Sequence, residues 1–370
     1  EMFSSIDNVS LMVVVLLIIW LSGQMQESGI MKDLVTTIRS RISKKLSLAI
    51  LPAVIGLLPM PGGALFSAPL VDDCDAEKAI DPLQKTRINF WFRHIWEYCW
   101  PLYPAVLLAI DISGLEVWQL ILAQLPLTLV TVFAGWLFIL RPIQASGTLE
   151  RGKAQPFLLL VSPIIVVIGV YTLISVFLPA VSGLGKYTPM GIGIVIAIAF
   201  LQILRPIPAA KWKKLVFSLK PLNMVVIVAA IRIYGAFIEA RLPGGMLLME
   251  QMREELNHFG IPPLLLVVLI PLISGITTGI AVGFIGASFP IVMILLGSDP
   301  TLGQTLATVA IAYACGEIGM LLSPMHVCLV VTNEYFKTRL GQSIVSFLKP
   351  CLVVLAGAFA LAGVIRLILG

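Results

Sequence analysis

Two short apolar stretches, one near each end of the chain, are broken by glycine and proline where a membrane-crossing helix would still be in mid-course. The first, about 47–72, carries Pro59, Pro61, Gly62 and Gly63 at its tip and Ser67 and Pro69 on its return arm. The second, about 261–297, carries Pro271, Thr277, Thr278 and Gly279, then Ser288 and Pro290. As a helix, the arm from Ser47 to Leu58 would be about 18 Å long, against a hydrocarbon core of about 30 Å. It cannot cross. A helix that stops at mid-depth leaves terminal backbone groups that protein or a water-filled cavity must cover. The two stretches therefore read as re-entrant hairpins lining a polar site, and paired interrupted segments of this kind point to a transporter's substrate site.

Composition agrees with that reading. With 58% hydrophobic and 12% charged residues and a mean hydropathy of +0.99, the chain cannot hide its apolar surface in a soluble globule. It reads as an all-α integral membrane protein whose first partner is the lipid bilayer. The net charge of +5 sits in short loops between apolar runs, a topology signal rather than a nucleic-acid footprint. The cysteines at 74, 99, 315, 328 and 351 form no CxxC pair, so free thiols are expected rather than a disulfide framework or a zinc site. The chain opens on Glu1 with no signal peptide, and a native N-terminus is expected before it.

Sliding the sequence against itself exposes a repeat. Pro52 pairs with Pro271, Pro69 with Pro290 and Pro101 with Pro324, offset by about 220 residues. The first copy spans 1–140, with its hairpin at about 47–72 and a broken crossing at about 82–112. A cytoplasmic linker, 141–155, follows. The second copy spans 156–370, with its hairpin at about 261–297 and a broken crossing at about 302–331. Uninterrupted spans are expected at Val9–Gly23, Val117–Leu140, Pro156–Ala180, Met190–Leu204, Pro221–Ala240 and Ile344–Leu369, with interfacial stretches at Gln24–Lys45 and Leu242–Phe259. Two spans precede this order only in the second copy, so about two N-terminal spans are expected to be missing from the first. Each complete copy then has an odd number of crossings, and the copies are inverted. Charge supports the inversion: with the basic loop Arg205–Lys220 in the cytoplasm, Lys85, Arg87 and Lys337 also fall inside, and Asp111, Glu116 and Asp299 outside.

The residues at 58–69 and 89–98, which include Pro59–Gly63 and Asn89, Trp91, Arg93, His94, Trp96 and Glu97, resemble the signature of a prokaryotic membrane family defined by a domain of unknown function. That family is grouped in the ion transporter superfamily with divalent anion/sodium symporters and gluconate and citrate permeases. The resemblance covers essentially the whole chain. It implies scaffold and transport domains, a homodimer, elevator-type alternating access and a place in the prokaryotic cytoplasmic membrane. The superfamily's sodium symporters carry Ser-Asn-Thr hairpin tips. Here tip one is Pro59–Gly63 and tip two Ile276–Gly279.

Helix starts just after the tips, near Gly63 and Gly279, suit an anion, with hydroxyls from Ser67, Thr277, Thr278, Ser288 and Ser323 as further ligands and broken carbonyls available to a cation such as sodium. The plainer reading is that Gly and Pro only let the hairpins turn. His94, Glu97, Glu317 and His326 are ionisable residues in apolar surroundings, and are read either as a proton relay or as structural charge pairs. Arg93 is either a counter-charge for substrate or a snorkelling anchor, and Arg232 is open in the same way, with packing against an acidic neighbour as its plainer reading. The aromatic cluster at Phe90, Trp91, Phe92, Trp96, Tyr98, Trp100 and Tyr103 is expected to form a membrane-interface belt. Together these readings describe a secondary transporter of a small anionic solute, coupled to H+ or Na+, with no catalytic residue, cofactor or resident metal. The alternatives are a membrane metalloenzyme using His94, Glu97, Glu317 and His326 as ligands, and an uncoupled anion channel.

Overall fold

The computed structural model describes residues 6–59, 63–75, 77–144, 155–238, 251, 255, 258–297 and 299–370. Among these residues every regular element is a helix. Six stretches are long and apolar enough to cross a membrane: Ile6–Glu27, Val117–Leu140, Phe157–Phe177, Ala209–Gly235, Leu302–Leu321 and Leu340–Leu369. The fold is that of a multi-pass, all-helical membrane protein. Pro61 and Gly62 of tip one, ten residues of the linker and most of the 242–259 stretch lie outside the described residues.

The helices gather into two compact units, each drawing on both halves of the chain. The first holds α1 (Ile6–Glu27), α2 (Ile30–Arg39), α8 (Phe157–Phe177), the short α9 (Pro179–Ser182), α10 (Thr188–Leu204), α11 (Ala209–Val216) and α12 (Leu219–Ile238) as far as Ala230. Helix α2 repeats its apolar residues at helical spacing and buries Ile30, Leu34 and Ile38 together. A polar knot closes the basic end of this unit. Arg205 meets Asp33 at 2.5 Å and donates to Gln155 Oε1 at 2.7 Å, and Gln155 Nε2 donates to Asp33 at 3.0 Å.

The second unit holds α3 (Lys44–Gly56) from Leu48, α4 (Ala64–Asp73), α5 (Pro82–Arg93), α6 (Pro104–Ser113), α7 (Val117–Gly135), the rest of α12, α13 (Pro263–Thr278), α14 (Ala281–Leu295), α15 (Leu302–Leu321), α16 (Val327–Phe336) and α17 (Leu340–Leu369). The series α3 to α7 recurs as α13 to α17: a helix–tip–helix pair, two helices flanking a break, and a long apolar helix. Each matching hairpin arm carries its proline inside the helix, Pro52 with Pro271 and Pro69 with Pro290. Local caps set several of these starts. Asp81 accepts from the amides of Leu83 and Gln84 ahead of Pro82, and Thr301 forms a reciprocal capping box with Gln304.

The centre of this unit is α15. It is 94% buried across its apolar window, against 22% for α17, although both are long enough to span. Its approach to α13 is backbone on backbone: a Cβ at Gly275 would overlap the Gly316 carbonyl, and one at Gly319 would overlap the Leu272 carbonyl. Small residues permit such contact, which leaves no room for lipid or water beside α15. Elsewhere in the unit, Arg232 on α12 pairs with Asp111 on α6 at 2.6 Å, the acidic neighbour expected for it.

The first break opens well before its prolines, Pro101 and Pro104, whereas the second lies at Pro324. In the first copy α5 ends at Arg93, well before Pro101, and the chain runs without regular helix to Pro104. Neighbouring side chains hold this segment: Trp96 Nε1 donates to the Ala53 carbonyl at 2.9 Å and the Tyr103 hydroxyl donates to the Gly56 carbonyl. In the second copy α15 runs its full length to Leu321, and the break before α16 is short.

The aromatic cluster is also placed differently. Phe90, Trp91, Phe92, Tyr98 and Tyr103 are buried, with only Trp96 and Trp100 half-buried. Trp91 donates to the Thr131 carbonyl at 3.0 Å and stacks on Phe347. These side chains are core packing around the first break, not a headgroup belt, because α7 and α17 cover them.

Candidate functional site

The two breaks converge in the second unit. His94 follows directly after α5, and His326 is the residue before α16. Their Nε2 atoms lie 3.2 Å apart, and the Sγ of Cys328 lies within 4.8 Å of both imidazoles' ligand atoms. All three side chains are buried. The ending of α5 explains the pose of His94. Its amide bonds to the Trp91 carbonyl, which leaves the Phe90 carbonyl free to accept from His94 Nδ1 at 2.6 Å. His326 Nδ1 likewise faces the Met320 carbonyl at 3.1 Å. A carbonyl only accepts, so each Nδ1 carries a proton, and in the neutral ring each Nε2 presents a lone pair.

Glu97 lies beside this pair, its Oε1 3.9 Å from His94 Nε2. The two share one side of the break although no helix continues through them. Tyr313 on α15 donates to the Glu97 backbone carbonyl at 2.6 Å, tying the break to the central helix. Glu317, also on α15, is wholly buried, and among the described residues neither carboxyl oxygen has a hydrogen-bond partner. Burying a carboxylate in this way is costly, so its charge has to be met by a proton or a cation.

Arg93 is buried rather than snorkelling. Its guanidinium lies against the start of α4, where a Cβ on Gly63 would overlap it, and its charge acts on Cys328, Tyr103 and Glu97. Tip two packs on the second break. Gly279 has φ +63°, and a Cβ there would sit 2.8 Å from the His326 amide nitrogen. Ser323 donates to the Ile276 carbonyl at 2.6 Å and accepts from the Met325 amide, so it fastens that break to α13.

The remaining predicted hydroxyls turn back on their own helices. Thr277 donates to the Ile273 carbonyl, Thr278 to that of Ser274, Ser288 to that of Phe284 and Ser67 to that of Ala64. Ser67 and Ser288 are buried at matching places in the two copies, and Thr277 is exposed. Pro59 is half-buried ahead of the undescribed tip residues. The structure thus joins His94, Glu97 and His326, sets Glu317 one helix away, and gathers Gly279 and Ser323 around the second break.

Two participants escaped the sequence reading. Cys328 entered it only as a free thiol, although a histidine two residues earlier was a usable signal. Asn89 bridges three elements, its Nδ2 donating to the Ala64 carbonyl at 3.3 Å and to Thr332 Oγ1 at 3.0 Å. In the sequence it stands only as part of the 89–98 signature, with no role attached. At the mouth of this unit Lys85 bridges Asp72 at 2.7 Å and Asp75 at 2.8 Å, fixing where α4 ends against α5.

No curated protein matches the chain. Among solved structures it is similar to the YdaH transporter of Alcanivorax borkumensis, described as having an unusual topology. That similarity is 12% in identity, with a TM-score of 0.48 over 95% of this chain and 84% of that one. A family described as "Protein of unknown function (DUF401)" matches residues 2–365, and the chain belongs to that DUF401 family.

Proposed function

We propose that this protein is a secondary active transporter that moves a small anionic solute, an organic acid or oxyanion, by alternating access coupled to H+ or Na+. The observation that carries the reading is Glu317: a wholly buried carboxyl with neither oxygen hydrogen-bonded among the described residues, on the central helix of the unit that also holds both breaks, the second helix–tip–helix pair and most of the first. Such a group takes up a proton or a cation when a cavity opens to one side and yields it when the cavity opens to the other.

An anionic solute is supported by the buried Arg93 guanidinium against Gly63, at the positive end of α4. The gathering of hairpins and breaks into one unit, apart from α1, α8 and α10, supports a moving transport domain beside a scaffold, hence an elevator mechanism. In this reading the chain sits in a prokaryotic cytoplasmic membrane as a homodimer, its copies inverted, as expected in the ion transporter superfamily.

The test is solid-supported-membrane electrophysiology and radiolabel exchange on proteoliposomes of the full chain. The panel is di- and tricarboxylates, sugar acids and inorganic oxyanions, with and without sodium and across pH. Saturable transport of one class that depends on sodium or pH is expected. Gradient-driven flux that neither saturates nor needs a coupled ion would replace this reading with a channel, and absence of flux in both assays would remove it.

A further inference from the structure

We propose that His94 Nε2, His326 Nε2 and Cys328 Sγ bind a resident transition-metal ion of the Zn2+ class, with the Glu97 carboxylate as fourth ligand, and that this ion clamps the two helix breaks together. With both Nδ1 protons spent on the Phe90 and Met320 carbonyls, two Nε2 lone pairs face each other at 3.2 Å in a buried site. The Cys328 thiol is within hydrogen-bonding reach of His94, and its single proton can satisfy one of these lone pairs. The other remains opposed. A metal ion satisfies both at once and takes the sulfur as well.

The spacing fits. Two imidazole nitrogens at about 2.05 Å from a tetrahedral Zn2+ stand about 3.3 Å apart, close to the 3.2 Å found here. Nitrogen and sulfur on the same ion stand about 3.6 Å apart, inside the 4.8 Å that encloses the three ligand atoms. Each imidazole donates its far N–H to a backbone carbonyl, the outer-shell arrangement typical of metal-bound histidine. Glu97 Oε1, 3.9 Å from His94 Nε2 and outside the three-atom cluster, is the carboxylate that would turn in as the fourth ligand. One thiolate and one carboxylate neutralise a divalent ion, which matters where no water can reach. A carboxylate beside two nitrogens and one sulfur also suits Zn2+ better than a softer ion.

Glu317 has no place in this ligand set, which leaves it the carboxyl assigned to coupling. The ligands come from opposite repeats, so the ion would lock the first break to the second. This inference does not depend on transport: the site stands or falls on binding.

The experiment uses the full chain in detergent, stripped with a chelator and titrated with Co2+ and then Zn2+. The expected result is one Co2+ per chain, a thiolate-to-cobalt charge-transfer band with the strong visible bands of tetrahedral Co2+, and their loss on adding Zn2+. Cys328→Ser should erase the charge-transfer band while retaining the monodisperse elution of the parent. His94→Ala and His326→Ala should each weaken binding by more than about 10-fold. The proposal is overturned if the folded parent chain takes up no more metal than the His94→Ala/His326→Ala double variant, or if bound Co2+ shows an octahedral spectrum without the sulfur band. Because the parent spectrum decides, a variant that fails to fold does not rescue the idea.

Discussion

At the scale of single residues, the molecule separates two kinds of buried charge. Asp75 is satisfied: burial works against its ionised form, but the Lys85 ammonium and the amides of Ile80 and Ala79 outweigh this and hold its carboxyl below the ordinary 3.8. A carboxyl depressed on folding stabilises the native state above its unfolded pKa, and that contribution is lost as pH falls through the folded value. Thermal unfolding of the parent and of Asp75→Asn should therefore differ at neutral pH and converge below about pH 4. A gap that persists into strong acid would exclude the Lys85 pairing as its source. Glu317 is the opposite case, wholly buried and unbonded. Glu317→Gln should keep the fold, because the amide fits the same volume, while abolishing the ion dependence of transport in the proteoliposome assay. Retained dependence on both pH and sodium would remove Glu317 from the coupling step. Glu317 is readable from the sequence as a candidate, but its lack of a partner is not, since that depends on what elements distant in sequence place beside α15.

At the scale of elements, prolines and glycines mark where helices change, but neighbours decide how. Pro324 ends α15 within three residues, whereas α5 stops well ahead of Pro101, because Gly56 and Ala53 of α3 offer carbonyls to Tyr103 and Trp96. Gly275, Gly316 and Gly319 show what glycine contributes beyond turning: contact of α13 with α15 at backbone distance. Gly275→Ala should cost about 1–3 kcal/mol by overpacking, since the three nearest atoms its Cβ meets are all backbone and cannot swing aside. The check is a lowered unfolding midpoint in detergent, with Gly363→Ala, whose Cβ meets nothing within 4 Å, as the neutral control. Equal midpoints would mean that α13 and α15 pack less closely than described.

At the scale of the whole molecule, the grouping into two units cuts across the sequence repeat, since each unit takes helices from both copies. This is the pattern expected if matching elements of the two copies work together on one side of the mechanism. The inversion of the copies has a direct test. The five native cysteines are buried and none is in a disulfide, so an impermeant maleimide reads an introduced cysteine against a low background. Lys78→Cys, just after the first hairpin, should label only from the cytoplasmic face and Asp299→Cys, at the matching place after the second, only from the other. Labelling of both from one face would overturn the inverted arrangement.

The sequence by itself determined the class of fold, the helix–tip–helix stretches, the repeat and the short list of ionisable residues, because hydropathy, helix length and proline geometry are local properties. It could also place His94 and Glu97 near each other, three residues apart. Only the tertiary structure decided that His326 and Cys328 arrive from more than 200 residues away to face His94, that the aromatic cluster is core and not a belt, and that Glu317 is sealed without a partner. The physical reason is that donors, acceptors and volume are satisfied by whatever packs beside them, and in this protein those neighbours come from the other copy of the repeat.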